Sequence, residues 1–232
     1  MNESFYKDFL GFDLPANIRF SLARKIGARA YIGVGRTKVG KTIDVEAKYL
    51  VTQQALGGGM PFSIALFHST GINTAPFSAV GENAFFGDSI APFENRFVHR
   101  LDHNTQVIIS RAFSERLSLQ IAPTFVYHNL INGQEKAHHT IVLPISGRYQ
   151  YSFGGAFLFE YAYKLNNTSV SSLDNPFSLG LEFGTAGHVF QVFMSNSPYV
   201  RESNIYTLEP VSFYDRPNAF VLGFNIRRVW WF

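Results

Sequence analysis

Ionisable side chains recur at alternate positions within apolar stretches of this 232-residue sequence. In residues 42–51, Asp44, Glu46 and Lys48 alternate with aliphatic residues and a tyrosine. Alternation gathers them on one face of a β-strand, because successive side chains point to opposite faces. Enclosed by a sheet, such a face forms either mutually neutralising ion pairs or the selectivity lining of a water-filled pore. The predicted lumen-lining charges are Arg19, Arg29, Asp44, Glu46, Lys48, Arg148, Glu160, Lys164 and Glu182.

Histidines are the second group whose side chains could do chemistry. His99 and His103 form a His-x-x-x-His pair, and His138 and His139 are adjacent. Neutral imidazole binds zinc, copper, nickel or iron. None of these spacings is diagnostic of a metal site. Polar loops that contain histidine are the simpler interpretation, and a metal site at these four residues is the alternative.

The sequence offers only weak arrangements for covalent catalysis, since His128 and Ser69 could meet only through contact between strands. His188 and Ser195 are seven residues apart on one predicted strand, so they lie on opposite faces and about 23 Å apart. A nucleophile and its base need contact within about 3 Å. The sequence contains no Gly-x-Ser-x-Gly turn. The sequence therefore predicts a protein that is not an enzyme, with no catalytic residue and no cofactor.

The composition excludes several other classes of protein. The chain has no cysteine, which excludes disulfides, zinc–thiolate sites, iron–sulfur clusters and thiol catalysis. Its net charge of +3 comes without a cluster of lysine and arginine, so no nucleic-acid partner is expected. Aromatic residues make up 16% of the chain, yet the mean hydropathy is 0.00. This combination is typical of a sheet with one apolar and one polar face.

Strands are the elements that must position these residues. Period-2 alternation recurs between turn residues, and no run shows a sustained helical period. The predicted strands are the eleven segments 17–24, 28–35, 42–52, 61–70, 104–112, 116–128, 137–149, 153–164, 175–184, 187–197 and 217–231. They form one predicted domain, residues 1–232.

Strand length and loop asymmetry favour a membrane barrel over a soluble sandwich. Several runs span 10 to 13 residues, whereas soluble strands average about 5–6. Short and long connections alternate, as they do in barrels with periplasmic turns and extracellular loops. The outward apolar residues then form a lipid-facing belt that includes Phe157, Phe159, Tyr161, Tyr163, Phe177, Leu179, Leu181, Phe183 and Phe224.

The end of the chain supports the barrel. Phe224 lies in a row of apolar residues at alternate positions, and Trp230 and the terminal Phe232 continue that row on the same face of the predicted strand. A terminal aromatic residue that closes an amphipathic strand is expected to be the signal for the outer-membrane insertion machinery. The C-terminus is therefore predicted to be periplasmic.

The odd number of predicted strands indicates that one more strand exists. Bacterial single-chain barrels normally have an even number of strands with both ends in the periplasm. Eleven strands with a periplasmic C-terminus therefore imply a design of about twelve, whose first strand is either irregular within residues 1–12 or absent from this sequence. A missing upstream segment would also explain why no signal peptide is visible.

Several motifs resemble a family of Bacteroidetes outer-membrane β-barrels that is defined as a domain of unknown function. The matching stretches are Gly11-Phe12-Asp13, Ala16-Asn17-Ile18-Arg19, Lys48-Tyr49 with Gln53, Ala122-Pro123-Thr124, Glu160-Tyr161, Gly187-His188-Val189-Phe190-Gln191 with Asn196-Ser197, and Gly223-Phe224-Asn225-Ile226 with Arg228-Val229. The resemblance implies the fold and an outer-membrane location but no activity. Family members carry a signal peptide and a further amphipathic segment upstream, which this sequence lacks.

Three functions are consistent with these observations. The first is a porin-like channel, or a narrow-lumen barrel for small solutes, in which the long loop 71–103 lies outside or plugs the lumen. The second is a non-conducting structural or accessory subunit of a larger outer-membrane complex. Strand 104–112 alternates least cleanly and is the candidate contact edge. The third is a metal-binding surface barrel. Expected partners are outer-membrane lipid, the insertion machinery and other outer-membrane proteins.

Overall fold

The computed structural model describes residues 17–55, 57–77, 92–131, 137–166, 175–208 and 220–229. It shows twelve antiparallel strands in one sheet, which confirms the predicted all-β class. The strands are β1 Arg19–Ile26, β2 Ala30–Thr37, β3 Ile43–Thr52, β4 Ser63–Ile72, β5 Leu101–Ala112, β6 Leu117–Ile121, β7 Thr124–His128, β8 His139–Ser152, β9 Gly155–Lys164, β10 Phe177–Gly184, β11 His188–Ser195 and β12 Val221–Arg228.

Apart from β6 and β7, each strand pairs with its neighbours in chain order, as in an up-and-down meander. The strands β6 and β7 lie end to end between β5 and β8, so the twelve strands occupy eleven positions. Among the described residues, no hydrogen-bond ladder joins β1 to β12. Asn17, just before β1, donates a hydrogen bond to the Pro198 carbonyl, just after β11, at 2.8 Å. This bond brings the start of β1 close to the residues that follow β11, the strand next to β12.

The break between β6 and β7 corrects the single predicted strand 116–128. Pro123 has no N–H and cannot donate to the ladder, and Pro144 lies on the neighbouring strand β8. The chain bridges the gap with other bonds: the Ala122 N–H donates to the Pro144 carbonyl at 2.9 Å, and the Val107 N–H donates to the Pro123 carbonyl at 3.0 Å.

The two faces of the sheet differ sharply in exposure. The inner face is defined here as the one against which residues 196–208 pack. On β3 it carries Asp44, which is almost fully buried, while the outward residues Val45 and Tyr49 are exposed. Strand β9 repeats the pattern, with Ala162 buried and the outward Tyr163 exposed. Large apolar side chains therefore cover the outer face.

Connections at the two ends of the strands differ in length. At one end, β1–β2, β5–β6, β8–β9 and β10–β11 are joined by two to four residues, and β3–β4 by ten. At the other end, 28 residues join β4 to β5 and 25 residues join β11 to β12. We call these the short-connection end and the long-connection end.

The connection between β11 and β12 contains the only α-helix in the described part of the chain, α1, Glu202–Thr207. The sequence reasoning did not predict this helix. No helix among the described residues is long and apolar enough to cross a membrane. The predicted first strand within residues 1–12 and the terminal Trp230 and Phe232 lie outside the described residues.

Candidate functional site

Arg201, at the start of α1, joins two strands across the interior. Its guanidinium donates two hydrogen bonds to the Asp102 carboxylate of β5, at 2.9 and 2.6 Å. Its Nε lies 3.6 Å from Oδ1 of Asp44 on β3. The Arg201 side chain is only 5% exposed. A bidentate pair satisfies both charges in this desolvated setting.

Arg19 of β1 extends the same network. Its guanidinium lies 2.5 Å from Asp44 and 2.9 Å from Glu46, both on β3. Two arginines therefore face three carboxylates, in a chain that runs from Asp102 through Arg201, Asp44 and Arg19 to Glu46. We call these five residues the ionic network. Opposite charges in contact are what a poorly hydrated interior requires.

Glycines on the inner face make room for the ionic network. A Cβ added to Gly71 of β4 would overlap the Arg201 guanidinium. A Cβ added to Gly35 of β2 would lie 2.6 Å from the Arg19 guanidinium and 2.8 Å from the Asp44 carboxylate. The strands therefore offer bare backbone at the positions where the guanidinium groups lie.

Glu202 follows Arg201 and lies beside β5. Its carboxylate accepts hydrogen bonds from the side-chain amides of Asn104, at 2.9 Å, and Gln106, at 2.7 Å. Desolvation, with repulsion from Glu160 and Glu46, raises the pKa of Glu202 to about 7 against the opposing effect of the two amide donors. This carboxyl therefore changes its charge near neutral pH.

The remaining residues of α1 pack on β7, β8 and β9. Tyr206 is buried in a cluster with Val126, Val142 and Ala162, and Ile205 packs against that cluster. The Tyr206 hydroxyl donates to Glu160 at 3.5 Å. Further along the helix, Thr207 Oγ1 lies 3.1 Å from Nε2 of His128. Contacts from β3 round to β9 hold α1 inside the curve of the sheet.

Beside α1, the interior next to β6 and β8–β12 contains a cavity of about 510 Å³. We call it the chamber. Tyr199, Val200 and Ile205 from the β11–β12 connection line it, together with inward side chains of the strands. Its charged lining includes Arg148 and Glu182, whose side chains are paired at 3.0 Å. The Arg148 side chain is 40% exposed, so this pair is much wetter than the ionic network.

The structure places eight of the nine predicted lumen charges on the inner face but does not gather them into one group, and it places Arg29 in the turn between β1 and β2 instead. Arg19, Asp44 and Glu46 join the ionic network, whereas Arg148, Glu160 and Glu182 line the chamber. Lys48 and Lys164 are half-buried, and Arg29 is exposed and donates to the Val51 carbonyl at 3.4 Å. Their role as the lining of an open lumen remains a prediction.

Residues of the predicted belt lie on the outer face. The exposed outward side chains include Phe157, Phe159, Tyr161, Tyr163, Leu179, Leu181, Phe183 and Phe224. Phe177 shares their face, because it pairs with Tyr161 across β9 and β10. One sector of the outer face is polar instead: His68, Thr70, His103 and Thr105 point outward from β4 and β5.

The histidines considered as metal ligands contact threonine or aromatic side chains. His103 Nδ1 lies 3.0 Å from Thr70 Oγ1, and His99 stacks on Phe93 near a 3₁₀ turn. His138 stacks on Tyr127, and His139 stacks on Phe125. In the part of the chain that the structure describes, no group of three or more His, Asp or Glu side chains is arranged to hold a metal ion.

Sequence reasoning missed Arg201, Glu202 and Asp102. Asp102 was assigned to a loop, although it belongs to β5, where it alternates with Asn104 and Gln106. Arg201 and Glu202 lie in the long connection before β12, where no periodic pattern marked a helix. The available signal was the inward polar row of β5, which required a charged partner from outside the sheet.

Comparisons with known proteins identify the architecture. A family model described as a membrane-bound beta barrel domain, DUF5777, matches residues 1–230. A search of the curated proteins finds no match to this chain. Among solved structures, the chain is similar to the NanC porin in a rhombohedral crystal form, with a TM-score of 0.55 and 8% sequence identity. The alignment covers 81% of this chain and 84% of the porin chain, and at that identity it shows the fold alone.

Proposed function

Because the chain belongs to the membrane-bound beta barrel domain family DUF5777, we propose that it is a narrow outer-membrane barrel that passes small polar solutes. The observation that carries this proposal is the clamp of Arg201 on Asp102 and Asp44, which fixes α1 inside the barrel. The clamp narrows the lumen on the side of β1–β5, while the chamber leaves space beside β6 and β8–β12.

The number of strands supports a narrow lumen. A barrel of eight strands has an interior filled by side chains, whereas sixteen leave an aqueous channel. The eleven strand positions of this sheet lie between these limits. With α1 inside, the remaining route is the polar space of the chamber. A route of this size suits the passage of small solutes better than general diffusion through a wide pore.

Single-channel conductance in a planar bilayer tests the proposal on the full chain. We expect a small, steady current that grows when Arg201→Gln releases the clamp. Glu182→Gln should shift the ion selectivity, because Glu182 lines the chamber. Arg24→Gln is the matched control, since Arg24 is exposed and points outward from β1. A silent membrane, with insertion verified, would contradict the passage of solutes.

The same proposal includes an orientation, with the short-connection end and the C-terminus in the periplasm. The asymmetry of the connections supports it. The chain has no cysteine, so single cysteines report position cleanly. A bulky impermeant maleimide on intact cells should label Leu165→Cys, at the long-connection end, and should label Phe153→Cys only after the outer membrane is opened. The reverse pattern would contradict this orientation.

The polar sector on β4 and β5 favours a second candidate function, as an accessory subunit that contacts another outer-membrane protein. His68 Nδ1 lies 2.9 Å from Thr105 Oγ1, and His68 Nε2 lies 3.1 Å from Thr70 Oγ1. The His68 and His103 rings stack at 6.0 Å. Polar side chains are costly on a lipid-facing surface. This hydrogen-bonded sector is therefore the outward surface best suited to a protein partner.

Photo-crosslinking in native membranes tests this candidate. A photoreactive residue at position 105 should give a crosslinked protein, while one at Leu179, in the apolar outward row of β10, should not. Equal labelling at both positions, or none at position 105, would contradict a contact at this sector.

A further inference from the structure

One wall of the chamber is a row of polar side chains at paired positions of neighbouring strands. Cross-strand register places Ser110 of β5 opposite Gln120 of β6, and Gln120 opposite Ser146 of β8. The same row continues through Glu160 of β9 and Ser178 of β10 to Ser195 of β11. Six neighbouring strands therefore present hydroxyl, amide or carboxylate groups at one level of the interior. We call this row the serine girdle.

Half of the girdle has unused hydrogen-bonding capacity. The side chains of Ser110, Gln120 and Ser146 form no hydrogen bond with any described residue. On the far side, Ser178 Oγ donates to Ser195 Oγ at 3.2 Å and keeps its lone pairs free to accept a further bond. A ligand that both donates and accepts at several points would match this wall.

An apolar surface lies two residues along the strands from the serine girdle, on the same inner face. Phe193 of β11 lines the chamber and pairs with Gly180 of β10 and Gly223 of β12. A Cβ added to Gly223 would overlap the Phe193 ring, so the ring lies directly over this bare backbone. Leu158 of β9 continues the same row opposite Gly180. The chamber thus offers a flat apolar surface next to a row of hydroxyls.

The charges of the lining disfavour anionic ligands. Arg148, its cation, is already paired with Glu182 at 3.0 Å, and Glu182 also accepts from Gln191 at 2.9 Å. Glu160 accepts a hydrogen bond from Tyr206. No cation among the chamber's described residues is therefore left to balance a carboxylate or phosphate.

We propose that the chamber binds a neutral saccharide of one or two rings, with its hydroxyls on the serine girdle and its apolar ring face on Phe193. The inference rests on the proposed passage of small polar solutes and names their class. The volume of about 510 Å³ lies within the range of small-molecule sites, about 300–1,000 Å³. Hydroxyl, amide and aromatic groups supply orientation and contact area without charge.

Titration calorimetry on the full chain in detergent micelles tests the proposal, with glucose and maltose as neutral probes and glucuronate as the anionic probe. We expect saturable binding of a neutral probe and weaker binding of glucuronate. Gln120→Met and Phe193→Leu should each weaken binding by about two- to tenfold. Circular dichroism verifies that both variants fold.

Ser21→Ala is the matched control, because Ser21 lies on the inner side of β1, away from the chamber. It should leave binding unchanged. No saturable binding of either neutral sugar, tighter binding of glucuronate, or binding that neither chamber variant changes would overturn the proposal.

Conductance separates this inference from the proposed function. A barrel that conducts ions but binds no neutral sugar overturns the saccharide site alone. A barrel that binds sugar but stays silent in the bilayer overturns the passage of solutes and leaves the binding site standing.

Discussion

The interior beside β1–β5 is filled by charge, whereas the interior beside β8–β12 holds an open, mostly uncharged chamber. In the first region, Arg201 and Arg19 bind Asp102, Asp44 and Glu46, with Arg201 and Asp44 almost fully buried and the other three mostly buried. In the second, the Arg148–Glu182 pair stays partly exposed among serine and amide side chains. One barrel thus combines a region that fixes α1 in place with a region that keeps space.

The two regions differ in the side chains that lie over their inward-facing glycines. On β2 and β4, inward glycines let guanidinium groups lie directly on the backbone, so no volume is left over. On β12, inward Gly223 lies beneath the Phe193 ring, and on β10 inward Gly180 lies against the Cβ of Phe193, so no charged group fills the space there. Similar bare backbone therefore leads to a filled interior in one region and an open one in the other.

Arg201→Gln should have the largest effect on stability of the substitutions considered. The substitution leaves Asp102 and Asp44 buried without their shared partner, which costs about 3–5 kcal/mol when one side of a buried pair is removed. We expect a large fall in the thermal midpoint measured in detergent micelles. Adding Asp102→Asn should recover part of the loss. A midpoint equal to that of the wild type would contradict the buried clamp.

Gly71→Ala should have the next largest effect. The added methyl group overlaps the Arg201 guanidinium, and such overpacking typically costs about 1–3 kcal/mol. Chemical unfolding of the refolded barrel measures the loss. Gly187→Ala, in the β10–β11 turn, is the matched control, because an added Cβ there has no neighbour within 4 Å. Equal effects of the two substitutions would argue against close packing at Gly71.

Glu202→Gln should change how the stability of the barrel depends on pH. The pKa of Glu202 is raised from 4.5 to about 7, so the folded chain binds this proton more readily than the unfolded chain. Its contribution to stability is therefore full below about pH 4.5 and is lost as the pH rises through about 7. The variant should lose this part of the pH dependence and be the more stable protein at pH 8.

Thermal midpoints at pH 4.5 and pH 8 check this expectation, with Glu115→Gln, an exposed residue in the β5–β6 turn, as the control. Parallel pH profiles for wild type and Glu202→Gln would contradict it.

Arg148→Gln should have the smallest effect on stability. Its pair with Glu182 is partly exposed, and such pairs contribute about 0–1 kcal/mol. The variant should lose no more than about 1 kcal/mol of unfolding free energy, while its ion selectivity changes in the bilayer. A loss as large as that of Arg201→Gln would remove the contrast between the two regions.

Much of the fold could be predicted from local pattern. Alternation such as that of Phe157 to Lys164 records which face of a strand is buried, and it locates strands without any knowledge of their partners. The break at Pro123 was missed because the residues on both sides keep the alternation, so only the missing N–H marks the gap.

The candidate site could be predicted only in part, for a different reason. Asp44 was recognised from its place in the alternating pattern, but its partner Arg201 lies more than 150 positions away in a connection without periodicity. The serine girdle depends on the register of six strands, which no single strand encodes. Contacts of this kind are set by the register and curvature of the whole sheet and not by local sequence.

The placement of α1 has a consequence for the order of assembly. Arg201 and Asp102 are 99 positions apart, and the helix is made only after β11. Contacts at such separation form late, because long loops must close before their contacts form. We expect the ionic network to form last, when the hairpin of β11 and β12 brings the helix into a nearly complete cylinder. Docking of the β11–β12 hairpin would then be the step that forms the ionic network and completes folding.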